Sequence, residues 1–208
     1  MAGLFITLEG GEGAGKSTQA KRLAEYLLGL GRQVILTREP GGTPQGEKLR
    51  ELLVSGDPGS WSSAAEAMLN AAARSVHVRD VIAPALRNGK TVICDRFMDS
   101  TRAYQGYAGG CDMALIDALE QAAIQGLRPD LTLVFDLDPV LGLARTKSRG
   151  GGEDRYERKG LGFHQVLRDG FLKIAAADPA RCKIIDAGQG PDQVFAQCRS
   201  HVEALLHG

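Results

Sequence analysis

Gly10-Gly11-Glu12-Gly13-Ala14-Gly15-Lys16-Ser17 reads as G-x-x-x-x-G-K-[ST], and the chain on either side of it supplies the context this pattern requires. The apolar run Leu4-Phe5-Ile6-Thr7-Leu8 comes before it and a helix-patterned segment from Thr18 to Leu30 follows. That is the strand–loop–helix order of a phosphate-cradling loop. A glycine-rich turn that matched by chance would have no reason to be flanked this way. Glycines let successive backbone N–H groups turn inward toward phosphate oxygens, at the positive end of the following helix. The cradle comprises Gly10, Gly11, Glu12, Gly13, Ala14, Gly15, Lys16, Ser17 and Thr18. In such a loop Lys16 reaches the β- and γ-phosphates of ATP and the Ser17 hydroxyl ligates Mg²⁺.

The rest of the composition narrows the partners. Over 208 residues, 25 basic and 25 acidic side chains cancel. No overall field therefore draws in a nucleic acid polymer or an anionic membrane, and anion binding has to come from local arginines. No apolar run approaches the ~20 residues that span a bilayer. Met1-Ala2-Gly3 leads directly into a strand, which leaves no room for a signal peptide. The cysteines Cys94, Cys111, Cys182 and Cys198 are widely spaced without a C-x-x-C pair, as befits reduced thiols in the cytoplasm. With no repeat or linker, the expectation is one cytoplasmic domain over residues 1–208.

Strands alternate with helical patterns along the chain. Gln33–Thr37, Thr91–Cys94, Leu131–Phe135 and Cys182–Asp186 read as strands after the first, giving five. Helical patterns cover Pro44–Val54, Trp61–Arg87 with Pro84 as a kink or a fresh start, Asp112–Ile124 with Asp112 as N-cap, Val140–Ser148 behind Asp138 and Pro139, Phe163–Ala177 and Asp192–Leu206. Strands that are apolar through their length imply a five-stranded parallel sheet with helices on both faces, an α/β three-layer fold. Its functional loops then lie at the carboxyl ends of the strands.

Polar residues gather at those ends. Asp95 closes an apolar strand, the position of a carboxylate that holds Mg²⁺ beside the loop hydroxyl; the alternatives are a helix cap or a plain salt bridge. Arg96, next to it, offers a fork of donors matched to phosphate oxygens, and Arg38 ends the second strand in Arg38-Glu39-Pro40. Arg74 lies among alanines, either on a solvated helix face or where small neighbours admit a ligand. The segment 145–162 is basic and glycine-rich and has no apolar face, so it reads as a mobile, solvated loop or as a closing lid. A lid delivers arginines to the transferring phosphoryl group only on closure, and it excludes water.

Taken together, Glu9 to Thr18, Thr37-Arg38-Glu39-Pro40-Gly41-Gly42-Thr43, Asp95-Arg96-Phe97, Ser100-Thr101-Arg102-Ala103-Tyr104-Gln105-Gly106 and Arg128-Pro129-Asp130-Leu131-Thr132 resemble the bacterial-type thymidylate kinases over essentially the whole chain. The resemblance implies a P-loop nucleoside-monophosphate kinase that uses ATP and Mg²⁺ to convert dTMP to dTDP, as a homodimer packed through helices. It implies that Glu12 accepts from the deoxyribose 3′-hydroxyl, that Arg38 and Arg96 hold the acceptor phosphate, and that Arg74 reaches the base edge. Thr101, Tyr104 and Gln105 line the base and sugar pocket, with Tyr104 crowding the sugar 2′ position. Other members carry an arginine in the P-loop where this chain has Gly13, and the bacterial type supplies the catalytic arginine from the lid. Arg149 and Arg155 are the lid candidates, and their spacing does not separate them.

One position departs from the family pattern. Where the family stacks a phenylalanine on thymine, four residues before Arg74, this chain has Asn70. An amide forfeits aromatic stacking of roughly 1–3 kcal/mol, unless Met68 or Leu69 covers the base. Two other readings follow: a kinase of another pyrimidine deoxynucleotide such as dUMP, or a P-loop switch that hydrolyses slowly. A switch needs a water-positioning residue and switch loops, whereas this chain offers acceptor-side arginines and a lid.

Overall fold

Strand β1 (Phe5–Gly10) is buried along its whole length, as a strand covered on both faces must be. The computed structural model describes residues 3–147 and 155–207. After β1 come α1 (Lys16–Gly29), β2 (Val34–Arg38), α2 (Pro44–Val54), α3 (Ser63–His77), a π-helical turn Val78–Ile82, α4 (Ala83–Arg87) and β3 (Thr91–Asp95). They are followed by α5 (Met98–Thr101), a second π-helical turn Arg102–Tyr107, α6 (Met113–Ile124), β4 (Leu131–Asp136) and α7 (Pro139–Lys147). A 3₁₀ turn Glu157–Lys159, α8 (Leu161–Ala177), β5 (Cys182–Asp186) and α9 (Pro191–His207) complete the described chain.

Among the described residues the strands form one five-stranded sheet in the order β2-β3-β1-β4-β5, parallel throughout. Alternate residues of each strand serve opposite faces. Ile6 and Leu8 of β1, with Leu133 and Phe135 of β4, pack against Leu23 and Leu27 of α1 and Val194 and Val202 of α9. On the other face Phe5, Val92 and Cys94 meet Val78, Ile82 and Ile124, while Val134 and Cys182 meet Leu167, Phe171 and Ile174 of α8. These are the three layers the sequence implies. β1 and β3 lie side by side at the centre, so the P-loop and Asp95-Arg96 leave the sheet next to each other.

Several local signals act as read. Asp112 caps α6, its side chain accepting from the Ala114 N–H, and Asp138 accepts from the Val140 N–H at 2.8 Å. Pro84 starts rather than kinks: it stands in the first turn of α4, beyond the π-helical turn. Other expectations change. The stretch after residue 154 is not solvated throughout, because Arg155 is fully buried and Tyr156 packs onto the cluster of Tyr104, Leu167 and Phe171, while Arg158 and Gly160 to Gly162 stay exposed. The sheet interior is also less apolar than read. Thr7 and Thr132 share a hydroxyl hydrogen bond at 2.7 Å, and Arg181 donates to Thr132 and to buried Asp99, each at 2.6 Å.

Candidate active site

The P-loop turns between β1 and α1 on glycines with positive φ, at Gly10, Gly13 and Gly15. At Gly13 the need for glycine is double. Its φ is 68°, and a Cβ there would lie 2.1 Å from the Gly142 carbonyl oxygen of α7. Gly142 is under the same constraint, since its Cβ would meet the Glu12 carbonyl oxygen at 2.4 Å. Two glycines thus let α7 press directly onto the loop. Lys16 folds back over it, donating to the carbonyls of Gly10 at 3.0 Å and Gly11 at 2.7 Å. Burial pulls the Lys16 ammonium down to about 8, and Arg96 adds repulsion that Asp95, Glu12 and Glu9 only partly offset.

At the far side of the loop, Ser17 donates its hydroxyl to Asp95 Oδ2 at 2.5 Å. A hydroxyl and a carboxylate in contact, beside a phosphate cradle, are the oxygen donors that suit Mg²⁺, which takes one or two protein ligands together with substrate phosphates. Among the described residues Asp95 caps no helix and takes part in no salt bridge.

Arg96 holds a left-handed backbone, φ 69°, which costs a non-glycine residue of order 1–3 kcal/mol. Its surroundings enforce that conformation. The Arg96 N–H donates to Leu8 O at 2.9 Å, and the next N–H, of Phe97, donates to Glu9 Oε1 at 2.7 Å. Ser100 donates to the other Glu9 oxygen at 2.5 Å. The Arg96 guanidinium then reaches Gly10 O and Glu12 Oε1, both at 3.0 Å, and lies 4.9 Å from the Tyr104 ring centre. Tyr104 donates its hydroxyl to the same Glu12 oxygen at 2.6 Å. Burial opposes a charge on Glu12, but Arg96, Lys16 and the Tyr104 hydroxyl outweigh it and hold the carboxyl at about 2. Glu9 goes the other way. Burial and the Asp99 carboxylate push it up to about 8, against the hydrogen bonds it accepts.

Beside this cluster opens a cavity of about 120 Å³. Of the residues expected at an acceptor site, Glu12, Asn70, Arg96, Thr101, Tyr104 and Gln105 line it. Arg74 stands just behind the wall: its side chain is 3% exposed, which rules out the solvated helix face. It donates to Glu39 at 2.7 Å, Phe97 O at 3.0 Å and Thr101 Oγ1 at 3.1 Å. Glu39 in turn meets His77 Nδ1 at 2.9 Å. Arg38 is not brought into the cavity; it pairs with Glu47 on the surface at 3.0 Å. Asn70 donates from Nδ2 to the carbonyl of Glu66, one turn back in α3, at 2.9 Å.

The two lid arginines part company. Arg149 lies outside the described residues. Arg155 does not reach the P-loop, because its guanidinium is buried against the α2–α3 loop and Glu66. Sequence reasoning also passed over Glu39, Arg50, Ser100, Tyr156 and Glu157 on the cavity wall. It passed over Arg145 too, which donates to Ala187 O at 3.3 Å and approaches Gly13 O at 3.5 Å. Tyr156 carried a signal, as the single aromatic in the segment 145–162.

A P-loop backed by a hydroxyl–carboxylate pair, abutting a cavity lined by arginines, tyrosines and amides, has the parts of a phosphotransferase. The thymidylate kinase family model matches residues 8–198, and the chain belongs to that family of enzymes. It is 53% identical over 194 residues to the thymidylate kinase of Caulobacter vibrioides, covering 93% of each chain. To that of a Bradyrhizobium species it is 52% identical over 194 residues, covering 92% of this chain and 86% of the relative. The crystal structure of thymidylate kinase from Ehrlichia chaffeensis superposes with a TM-score of 0.78 at 37% identity, over 97% of this chain and 99% of that one.

Proposed function

We propose that the chain transfers the γ-phosphoryl group of ATP to dTMP, giving ADP and dTDP on the route to dTTP. The observation that carries this reading is Glu12. It belongs to the triphosphate loop, yet its carboxylate is bound by Arg96 and Tyr104 on the acceptor cavity. A half-buried carboxylate so close to phosphates is costly by itself; Arg96 and Tyr104 offset that cost, and the carboxylate they hold at the cavity can accept from a deoxyribose 3′-hydroxyl. Tyr104 then crowds the 2′ position. Arg96 forks onto the acceptor phosphate, joined by Arg38 once it leaves Glu47, while Thr101 and Gln105 face the base and Arg74 supports Thr101 from behind.

Ser17 and Asp95 would hold Mg²⁺, which when bound draws charge from the phosphate oxygens. Lys16 steadies the charge that develops on the transferred group, and Arg149 is the lid arginine that completes this. The acceptor already carries an anionic oxygen, so in-line transfer requires neither a general base nor a covalent enzyme intermediate. By family resemblance the chain works as a homodimer, which sedimentation equilibrium tests.

Asn70 favours one second reading, a preference for dUMP, because the wall that would stack on thymine is an amide. ADP release measured across dTMP, dUMP, dCMP and UMP decides between them. The expected result is highest kcat/KM for dTMP; a clear preference for another acceptor overturns it. ATP turnover indifferent to every nucleoside monophosphate would mean a P-loop switch instead.

A further inference from the structure

Glu66 and Arg155 form an ion pair at 2.5 Å with side chains 1% and 0% exposed. Neither is explained by contact with a substrate. Arg155 spends its remaining donors on main-chain carbonyls at the end of α2 and in the α2–α3 loop: Leu53 O and Asp57 O at 2.9 Å and Pro58 O at 3.2 Å. Its own N–H points to Val54 O at 3.4 Å. The second Glu66 oxygen accepts from Gln105 Nε2 at 2.8 Å and from the Tyr156 hydroxyl at 3.0 Å. Gln105 and Tyr156 come from elements 51 residues apart in sequence, and both line the acceptor cavity. A single carboxylate therefore touches two walls of that cavity, and Arg155 holds the carboxylate in place.

A fully engaged guanidinium is a poor candidate for a mobile catalytic charge, since leaving this nest would take from three carbonyls their donor and leave Glu66 to Gln105, Tyr156 and the more distant Lys159, 3.6 Å away. We propose that Arg155 is a positioning residue: through Glu66 it holds Gln105 and Tyr156 in register for the acceptor nucleotide. This rests on reading the cavity as the acceptor site.

The test compares steady-state kinetics of wild type, Arg155→Met, Glu66→Gln and the double variant Arg155→Met/Glu66→Leu, with melting temperatures alongside. Arg155→Met should raise KM for dTMP roughly 10-fold, the scale of losing one hydrogen bond to a charged group. kcat at saturating dTMP and KM for ATP should stay near wild type. A catalytic arginine would instead lower kcat by about 10²–10³-fold with little change in KM, and that outcome overturns the proposal. The double variant replaces the ion pair with apolar groups, which often recovers stability, and so remains informative if Arg155→Met does not fold. We expect its melting temperature to return toward wild type while KM for dTMP stays high. A KM that recovers with the melting temperature would leave Arg155 only a folding role and also defeats the proposal. Should wild type itself fail to use dTMP, the acceptor reading falls instead, a result these variants do not mimic.

Discussion

Lys16 shows how burial prepares a side chain for its role. Removed from water and flanked by Arg96, its ammonium is pulled down to about 8, and among the described residues it bonds to the carbonyls of Gly10 and Gly11. Anionic phosphate is the partner that would hold its charge. Lys16→Met should lower transfer by at least ~10²-fold while the far-ultraviolet dichroism is retained; near-normal turnover would remove Lys16 from the chemistry. Glu9 carries a different consequence, for stability. It is ringed by Asp99, Arg96, Lys16, Ser100 and the Phe97 N–H, with Arg181 behind Asp99. Its carboxyl moves from an ordinary 4.5 up to about 8 on folding, through burial first and Asp99 second. The folded state thus prefers the protonated acid, and this stabilisation is complete below pH ~4.5 and lost as pH rises through about 8. Glu9→Gln keeps an acceptor for Phe97 and offers a donor to Ser100, so its urea midpoint should fall less than wild type between pH 5 and pH 8. Equal slopes would count against the assignment.

At the scale of elements, what was legible in the sequence followed from short-range chemistry. The P-loop, the Asp112 cap, the Asp138-Pro139 start and the strand runs each depend on neighbours within a few residues, and each stands where the pattern puts it. Asp112→Ala should cost α6 about 1 kcal/mol, seen as a lowered denaturation midpoint with unchanged kcat. A shift under a few tenths would mean that tertiary packing, not the cap, sets the start of α6. What was not legible depends on partners far away in the chain. Arg74 and Arg155 both look like surface cations, but Glu39 lies 35 residues from the first and Glu66 lies 89 from the second. The turns Val78–Ile82 and Arg102–Tyr107 escape periodicity for a related reason. A π-helical turn shifts the side-chain phase by one residue, so the apolar stripe on either side no longer lines up.

For the whole molecule, the sheet joins the two substrate halves and a buried polar network braces it from behind. Arg181, ahead of β5, spans from Asp178 to Asp99 below the acceptor site. Arg181→Met would leave Asp99 buried beside Glu9 without its cation, and should destabilise the protein by about 3–5 kcal/mol. Equilibrium denaturation reads this directly, and a loss below ~1 kcal/mol would mean that solvent reaches Asp99 after all. Among the described residues no helix is long and apolar enough to cross a membrane.

The contact between Gly13 and Gly142 reaches furthest. Because neither position has space for even a methyl group, no single codon change can install an arginine in this loop without levering α7 away from it. Swapping to the arrangement in which the P-loop carries its own cation would require a helix to retreat before any benefit appeared. The chain is held on its side of that divide by backbone crowding, and inhibitors that wedge α7 from the loop would attack a surface it has little mutational freedom to alter.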